Sequence, residues 1–578
     1  MNWNIAPKAS DEFIKKFPEY NPLILQLLAN RGLKTQKEID EFFNPDYEGD
    51  LHDPFLMLGM KEAVKKILEA IKKKEKITIF GDYDADGVCG TVILKTVLEA
   101  LGASEIGIFI PNRMIEGYGL NNDAVKKAAA EHTNLIITID CGITDFGEIK
   151  LANSLGMEVI ITDHHLVGKK VPLAKVIIDP FQKKDKYPFK ELSGAGVVFK
   201  LAQALISKSK RKVVPGWEKW LLDLVAIATV ADCMPLLGEN RTLVRYGLIV
   251  LAQTQRLGLQ ELMRVARLAP SFEVQTLKTN LDGYSLGFIL APRLNAAGRI
   301  HHASLAFELL TSLDRAAASE MAKRIDDFNR QRQKMTDEIV GQIEQRIKDR
   351  LQDKSQPVIV EADKDWSPGI VGLVAGRIAD RYHRPTIIFN QKETTSRGSA
   401  RSIPSFNIVE AIASCADLLK EYGGHAASAG VSLENDKLPL FKEKINQYAA
   451  NKLVAEDLIP ALAVDTEIEA GEINWEFFDK LLNFEPFGQK NPSPSFVLKN
   501  MEIASIRLVG NGSQHLKLEL KNEKIEGKVF KAIGFRLAKN GNQDLKTGDK
   551  IDIVIELIVD EWNGNRELQF KIIDIKKL

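Results

Sequence analysis

Short apolar segments alternate with helical segments along residues 64–178 of the chain. The apolar segments are rich in β-branched residues and are as short as buried strands, whereas the segments between them have helical periodicity. The predicted strands are 77–80, 106–110, 135–139, 159–161 and 176–178. Because this alternation is typical of βαβ units, the sequence predicts an α/β fold built on a doubly wound parallel sheet.

Acidic residues and histidines directly follow three of these predicted strands. In parallel sheets, ligands bind at the carboxyl ends of the strands, so we expect these side chains to lie close together. They occur in the motifs GDYDADG (81–87), TIDCG (138–142) and TDHH (162–165), and they are Asp82, Asp84, Asp86, Asp140, Asp163, His164 and His165.

The composition of these motifs favours a cation site. Three carboxylates at alternate positions in GDYDADG repel one another and need cations or water, although an acidic surface loop is the alternative. Asp140 and Asp232 each interrupt an apolar run, where a helix cap or a salt bridge is the alternative. Four carboxylates and one imidazole suit Mn²⁺ or Mg²⁺ better than zinc. The set fits a two-metal site that activates water beside a phosphoryl group.

The overall composition limits the other classes of function. At 578 residues the chain is long enough for three or four packed units. Lys and Arg together number 78, as do Asp and Glu, so a polyanion would need a local basic track. The four cysteines form no C-x-x-C pair, which argues against a zinc ribbon. We find neither a signal peptide nor a membrane span in the sequence.

The second half of the chain has a different pattern. Residues 303–351 are charged, nearly free of glycine and helical, which predicts a spacer between two lobes. A second α/β unit follows, with predicted strands at 357–360 and 386–389. Five β-type segments between 503 and 575 predict a small barrel, with the OB-fold as the leading candidate. Phe535 and Trp562 are candidate stacking platforms there, with core packing as the alternative.

Eleven motifs, taken in order, resemble those of the DHH phosphoesterase superfamily across nearly all of the chain. Besides GDYDADG, TIDCG and TDHH, they are PNRMIEGYG (111–119), SGAGVVFK (193–200), ATVADCMPL (228–236), APRLNAAGR (291–299), WSPGIVGLVAGRIADRYHRP (366–385), RGSARS (397–402), GGHAASAG (423–430) and EPFGQKNPSPSF (485–496). The resemblance implies an N-terminal wrap (1–60), a DHH catalytic domain (61–302), a linking helix (303–351), a DHHA1 domain (352–460) and an OB-fold that binds nucleic acid (461–578).

The resemblance also implies an activity. It implies a single-stranded-DNA-specific exonuclease that works 5′ to 3′, releases mononucleotides with two Mn²⁺ or Mg²⁺ ions, and serves DNA repair and recombination. It further implies a cytoplasmic monomer with no membrane contact, whose candidate partners are a single-strand-binding protein or a helicase. Two alternatives are a phosphodiesterase for short oligoribonucleotides or cyclic dinucleotides, and a non-catalytic DNA-binding scaffold. The OB-like module argues against the first, and the complete ligand set argues against the second.

The family motifs also imply roles for the site residues. One ion would be bound by Asp84, Asp140, His164 and Asp232, and the other by Asp82 with Asp140 as the bridge. His165 would face the scissile phosphate, while Asp163 and Asp86 would orient the ligands.

Basic residues in other motifs are candidates for binding the strand. Arg113, Arg293 and Arg299 would contact phosphates, because guanidinium groups bind phosphate oxygens in a fork; structural ion pairs are the alternative. In the second lobe the resemblance implies that three residues contact the nucleotide end: Ser399, Arg401 and His425.

The chain departs from the family pattern at several positions. Relatives often carry a metal-binding histidine just before the first aspartates, whereas Phe80 occupies that neighbourhood here, which predicts a weaker or more hydrated first ion. Ser367 follows Trp366 where relatives often have histidine, which weakens any role for that position. His301 and His302 replace small or acidic residues, and we interpret them as solvated residues at a helix start.

Overall fold

The computed structural model of the protein describes residues 1–348, 356–539, 544–562 and 565–578. The chain divides into two compact units. Unit one comprises Met1–Asp50, Pro235–Arg241 and Pro460–Leu578, and unit two comprises Leu51–Met234 and Thr242–Ile459. The predicted domain boundaries do not follow from this division and stay predictions.

The α-helices in the described ranges are numbered here in chain order. Helices α1 to α18 are Asp11–Lys16, Pro22–Asn30, Gln36–Phe43, Met60–Lys73, Ala85–Leu101, Asn122–Ala130, Phe146–Ser154, Gly194–Lys208, Leu222–Ala231, Gly238–Ala252, Leu257–Val265, Ala291–Ile300, Ser304–Thr311, Arg315–Ile347, Val371–Tyr382, Ile408–Ala413, Leu438–Ala450 and Trp475–Leu482. A π-helical segment, Ser285–Leu290, leads directly into α12.

The strands are numbered in the same way. Strands β1 to β20 are Asn2–Ile5, Ile77–Gly81, Ile106–Phe109, Leu135–Ile139, Glu158–Thr162, Val176–Ile178, Phe272–Glu273, Lys278–Thr279, Ile359–Asp363, Thr386–Gln391, Thr395–Arg401, Leu419–His425, Ser428–Glu434, Ala461–Val464, Thr466–Glu467, Phe496–Val509, His515–Asn522, Ile525–Gly534, Lys550–Trp562 and Asn565–Lys577.

The first sheet of unit two is parallel throughout and has the strand order β3-β2-β4-β5-β6. Strands β2 and β4 are buried along their whole length, which explains their nearly continuous apolar sequences. The connections from β2 to β3 and from β4 to β5 run in opposite directions across the sheet. The strand order therefore leaves a crevice between the carboxyl ends of β2 and β4, where such folds bind ligands.

The second sheet of unit two is mixed, with the order β12-β13-β11-β10-β9. Only β9 and β10 run parallel among these neighbours. One face packs on α16 and α17 through an apolar cluster that includes Phe389 and Phe441. On the other face, Arg397, Ser399 and Arg401 alternate along β11 with residues that include the buried Ser396 and Ala400.

The predicted spacer over 303–351 is two helices rather than one. Helix α13 ends at Thr311, and α14 begins at Arg315. Asp314 separates them because its carboxylate accepts the Ala317 amide at 2.7 Å and caps the second helix. The last three predicted residues, 349–351, lie outside the described ranges.

Unit one contains the predicted barrel. Strands β16, β17, β18, β20 and β19 pair in that order, and β19 pairs back with β16 to close the ring. The apolar core of the barrel also includes side chains of the N-terminal segment, among them Leu25, Ile39 and Phe42. The two N-terminal helices α2 and α3 thus belong to the same folding unit as the barrel.

The predicted fold class is confirmed: a parallel α/β sheet, a second α/β sheet and a C-terminal closed barrel. The helices of the described ranges include none with the length and apolar character needed to cross a membrane.

Candidate metal centre and phosphate pocket

The turn after β2 places the first carboxylates. The Asp82 amide donates to the carbonyl of Ile139 at 3.2 Å, so Asp82 continues the β2–β4 pairing beyond the strand. Asp84 is the N-cap of α5, and one of its oxygens accepts the amides of Asp86 and Gly87. A Cβ at Gly87 would lie 2.6 Å from the Asp82 amide nitrogen, so the tight turn requires glycine there.

Asp140 follows β4 with a φ of +61°, a left-handed conformation that costs energy for a residue other than glycine. The side chain is buried, and its backbone is approached closely by the first residue of α8. A Cβ on Gly194 would lie 2.7 Å from the Asp140 Cβ. Both features place this carboxylate beneath the crevice between β2 and β4.

Asp163 anchors the two histidines that follow β5. Its Oδ1 accepts the amide of His164 at 2.8 Å and the Nδ1 hydrogen of His165 at 2.7 Å. Its Oδ2 accepts the amide of Ile143 at 3.1 Å. Because both carboxylate oxygens are engaged, Asp163 orients the histidines and offers little to a cation.

His164 lies at the centre of the acidic cluster. Its Nε2 is 3.0 Å from Asp140 Oδ1, 3.5 Å from Asp232 Oδ2 and 3.7 Å from Asp86 Oδ2. The structure therefore brings side chains from four separate segments of the chain to one place.

Among the described residues, three groups of ligand atoms are compact enough to hold a cation, with all atoms of a group within 4.8 Å of one another. These groups differ from the expected ligand sets. Asp84 was expected beside His164 but lies with Asp82 and Asp140, and Asp86 lies beside His164 instead. The groups are Asp82, Asp84 and Asp140; Asp86, His164 and Asp232; and Asp140, His164 and His165.

Asp86 also holds the start of α8. Its two oxygens accept the amides of Gly194 and Ala195, each at 2.7 Å. The carboxylate is buried and lies at a helix N-terminus, where a negative charge is favoured. Asp86 thus links the loop after β2 to α8 and shares the crevice with the ligands.

The cluster carries more negative charge than its protein surroundings offset. Burial and the neighbouring Asp84 charge raise the pKa of Asp82 well above its usual range. Burial and Asp86 likewise raise the pKa of Asp232 to about 7. The buried Oδ1 of Asp82 has no hydrogen-bond partner in the described part of the chain. Hard oxygen donors with an unsatisfied lone pair fit Mn²⁺ or Mg²⁺.

The pKa of His164 also reflects this excess of negative charge. Burial alone would lower the pKa of its imidazole, but the charges of Asp86 and Asp232 outweigh burial and raise it. A cation among these carboxylates would remove the reason for protonation and leave His164 free to bind as a neutral ligand.

An arginine cluster adjoins the acidic one. Burial and the neighbouring Arg113 charge lower the pKa of Arg299 to about 9. The buried Nε of Arg299 has no hydrogen-bond partner among the described residues. Arg332 and Arg401 lie near enough to lower the Arg299 pKa further. Among the described residues, two of these four guanidinium groups have an unsatisfied buried donor, Arg299 and Arg332, so the cluster has the chemistry of a phosphate pocket.

The second sheet completes this phosphate pocket. A Cβ at Gly372, in the first turn of α15, would lie 3.0 Å from Ser399 Oγ and 3.5 Å from Arg401 Nη2. The N-terminus of α15 therefore begins beside both side chains, and helix N-termini favour anions. The Arg299 guanidinium also donates to the carbonyl of Gly369 at 3.1 Å, which joins α12 to the segment just before α15.

Two predicted strand-binding residues are placed differently. Arg293 donates to Asp326 at 3.0 Å and to the carbonyl of Ile289 at 2.7 Å, which matches the structural ion pair left as the alternative. His425 is exposed at the end of β12, and Ser428 on β13 lies between it and Arg401. Neither residue belongs to the buried part of the phosphate pocket.

Three residues of the site escaped the sequence analysis. The Tyr118 hydroxyl donates to the Asp140 carbonyl at 2.8 Å and lies 3.2 Å from His165 Nδ1. Asn295 Oδ1 accepts the Ala85 amide at 2.7 Å at the start of α5. Arg332 lies on the charged helix α14, where nothing in the pattern separates it from solvated arginines. The position of Tyr118 within PNRMIEGYG was the available signal.

The departures from the family pattern lie around the site. Phe80 is buried in the sheet core and stacks on Phe109 with ring centroids 5.0 Å apart. His301 stacks on Phe328 of α14 with centroids 5.8 Å apart. The Nδ1 of His302 accepts the Ser304 amide at the start of α13.

Comparison with known proteins gives the same order of domains. The chain matches the DHH family N-terminal domain over residues 76–229, the DHHA1 domain over 355–451 and the RecJ OB domain over 464–574. It is 38% identical to the single-stranded-DNA-specific exonuclease RecJ of Bacillus subtilis (strain 168), and the match covers 99% of this chain and 70% of that protein.

Two crystal structures of RecJ from Thermus thermophilus resemble the chain over its whole length. The complex with Mn²⁺ has a TM-score of 0.83 at 29% identity, with 100% of this chain and 80% of that chain covered. The complex with Mg²⁺ has a TM-score of 0.77 at 28% identity, with 100% and 78% covered. The protein therefore belongs to the RecJ family.

Proposed function

We propose that this protein is a single-stranded-DNA-specific exonuclease that removes nucleotides one at a time from the 5′ end, using two Mn²⁺ or Mg²⁺ ions. The observation that carries the proposal is that the acidic cluster and the arginine pocket adjoin at Tyr83. This residue lies between Asp82 and Asp84 in the sequence. The Arg113 guanidinium lies over its ring, 4.7 Å from the ring centroid. A strand whose end is bound by the arginines would have its first phosphodiester beside the cations.

The proposed cation ligands are divided between two positions. Asp82, Asp84 and Asp140 would hold one ion. Asp140 and Asp232 would hold the other together with His164, whose Nε2 lies 3.0 and 3.5 Å from their carboxylates. Bound ions would supply activation of water at neutral pH and neutralise charge on the phosphoryl oxygens. The Mn²⁺ and Mg²⁺ complexes of the Thermus relative support this choice of metals.

His165 would act on the scissile phosphate directly. Its Nδ1 is held by Asp163 at 2.7 Å, which fixes the ring orientation and places the hydrogen on Nδ1. Burial lowers the pKa of His165, but the hydrogen bond and the charge of Asp163 outweigh burial and raise it. A protonated ring can then donate from Nε2 to a non-bridging oxygen or to the leaving group.

The arginine pocket would select the strand end. Arg113, Arg299 and Arg401 converge with the N-terminus of α15, so a terminal phosphate would be surrounded by donors. A phosphate in the middle of a strand has nucleotides on both sides and would fit poorly in a pocket whose guanidinium groups are partly buried. This difference supports exonucleolytic rather than internal cleavage.

The setting of the enzyme is proposed by analogy with its relatives. We propose a cytoplasmic monomer that works in DNA repair and recombination with a single-strand-binding protein or a helicase. The family resemblance supports these assignments, and the Bacillus relative is a single-stranded-DNA-specific exonuclease.

A single assay tests the proposed function. Single strands labelled at either end, a matching duplex and a dinucleotide are incubated with the protein and Mn²⁺. We expect 5′-labelled strands to release labelled mononucleotide first, while the duplex remains intact. Rapid turnover of the dinucleotide alone would indicate a small-substrate phosphodiesterase, and binding without any cleavage would indicate a scaffold.

A further inference from the structure

Two large aromatic rings lie exposed just before the helix that carries the arginine pocket. Tyr284 is 62% exposed and Phe288 is 72% exposed. Their rings stack on each other with centroids 5.0 Å apart and planes tilted by 16°. Burying large aromatic surface is favourable, so a stacked pair left in water is suited to a flat apolar ligand.

The segment beneath the pair is well anchored. Tyr284 directly precedes the π-helical segment Ser285–Leu290 and Phe288 lies within it, a rare geometry that often occurs at functional sites. Asp282 accepts both the amide and the hydroxyl of Ser285, at 2.8 and 2.7 Å. Leu286 and Leu290 on the opposite side are buried. The rings are therefore held in place before any ligand arrives, which limits the entropy lost on binding.

The pair lies on the same side of the helix as the site residues. Asn295 and Arg299 follow Phe288 by seven and eleven residues, a spacing that keeps them on one helical face. Asn295 contacts the start of α5 beside Asp84, and Arg299 lies in the phosphate pocket. Tyr284 and Phe288 thus lie before the N-terminus of α12, on the same face as Asn295 and Arg299.

The segment that carries the pair also packs on α9. Gly287, which directly precedes Phe288 in the sequence, lies so close to α9 that a Cβ there would be 3.1 Å from Val230 Cγ1. Val230 precedes the ligand candidate Asp232 by two residues. Exposed, stacked aromatic rings match the bases of a single strand, which stack on such side chains.

We propose that Tyr284 and Phe288 form a base-stacking site for the part of the single strand that has not yet reached the metals. This proposal rests on the proposed function and adds a second point of contact to it. Eleven residues of helix separate Phe288 from Arg299, or roughly 16 Å. A stacked strand covers that distance in about five nucleotides, so the contact should involve a base near the fifth position from the bound end.

Binding measurements with variants test the proposal. The double variant Tyr284→Leu/Phe288→Leu keeps apolar, helix-forming side chains but removes both flat rings. Trp220→Leu is the matched control because Trp220 is 45% exposed and precedes α9 at the end remote from Asp232. In EDTA, the double variant should bind a long oligothymidine roughly tenfold or more weakly than the wild type. It should hydrolyse a trinucleotide in Mn²⁺ at the wild-type rate.

Two outcomes would overturn the stacking site. One is unchanged binding of the long strand by the double variant, and the other is equal losses on the long strand and the trinucleotide. A change in oligomeric state between wild type and double variant, with DNA binding retained, would assign the rings to an interface between copies instead.

A measurement on the wild-type protein needs no variant. A 2-aminopurine placed at successive positions of the strand should be quenched most strongly near the fifth position, where it stacks on the aromatic pair. Quenching that does not depend on position would contradict the proposal. These measurements in EDTA do not require catalysis, whereas failure of the wild type to cut any single strand in Mn²⁺ would contradict the proposed function itself.

Discussion

Asp140 connects several parts of the site. It contributes to two of the three candidate ligand groups, and its carbonyl accepts the Tyr118 hydroxyl. Its left-handed backbone is energetically costly, and such strain persists where the surrounding structure imposes it. We therefore expect a carboxylate here to serve the cations rather than the stability of the fold.

The substitution Asp140→Asn tests this role. Asparagine tolerates the left-handed conformation and preserves the shape of the side chain, but it removes the charge. We expect cleavage in Mn²⁺ to fall by at least about 100-fold, since even changes to groups that only support ligands cost roughly 10- to 100-fold. Binding of single strands in EDTA should remain. Turnover close to that of the wild type would remove Asp140 from the metal site.

At this scale the acidic residues could be recognised from the sequence because each follows a segment that is visibly apolar. Arg332 could not, because its neighbours on α14 are also charged and its contact with the site depends on how α12 packs on α14. The ion pair of Arg293 with Asp326 was equally hidden, since the two residues are 33 positions apart. Spacing along the chain does not report such contacts between helices.

The start of α8 is the element that positions Asp140 from outside the sheet. Gly194 and Ala195 donate to Asp86, and the missing side chain of Gly194 leaves room for Asp140. The sequence motif SGAGVVFK thus contains a steric requirement in addition to helix capping.

The substitution Gly194→Ala tests that requirement. The new methyl group would overlap Asp140 Cβ, and we expect Mn²⁺ affinity to fall roughly 10- to 100-fold. Gly196→Ala is the control in the same turn, because its Cβ would lie 3.3 Å from the nearest atom, Leu192 Cβ. Equal metal affinities for both variants and the wild type would contradict this role of α8.

The start of α7 carries a half-buried acid whose ionisation opposes folding. Asp145 precedes α7 and accepts the Leu120 amide at 2.7 Å, and burial raises the pKa of its carboxyl to about 6. For an acid with a raised pKa, stability is complete below its ordinary value of about 4. This contribution is lost as the pH rises through about 6.

We therefore expect Asp145→Asn to stabilise the protein at about pH 7 and to leave stability nearly unchanged at about pH 4. The amide oxygen can still accept the Leu120 amide, so the gain at about pH 7 should be of the order of 2 kcal/mol after allowance for partial exposure. Denaturant unfolding of both proteins at the two pH values measures it. An equal difference at both values would show that the carboxyl does not titrate in this range.

Much of the element order was predictable from periodicity alone. The strands of the first sheet and the barrel were visible because their apolar residues are contiguous or alternate. The separation of α13 from α14 was missed because the capping residue Asp314 lies in a stretch that is otherwise helix-forming. The pairing of β1 with β14 was not predictable, since 459 positions separate Asn2 from its partner Ala461.

On the scale of the whole molecule, unit one is assembled from the two ends of the chain and a short internal segment. Arg241 of that segment is buried and donates to four backbone carbonyls: those of Phe42, Asn483, Phe484 and Glu485. One guanidinium group therefore joins all three parts of the unit.

The substitution Arg241→Met should destabilise unit one by at least about 3 kcal/mol, because the carbonyls lose their donor and stay buried. Arg507→Met is the control, since Arg507 is exposed on a barrel strand of the same unit. Hydrogen exchange at Phe42 and Phe484 should accelerate in the first variant only. Unchanged exchange at both positions would mean that the apolar core alone holds the segments together.

The central claim is that carboxylates from Asp82 to Asp232 meet around divalent cations at the carboxyl edge of the parallel sheet. Anomalous scattering from a crystal soaked in Mn²⁺ tests it most directly. We predict two peaks, one among Asp82, Asp84 and Asp140, and one beside His164 and Asp232. A map without peaks in this cluster at saturating Mn²⁺ would contradict the claim.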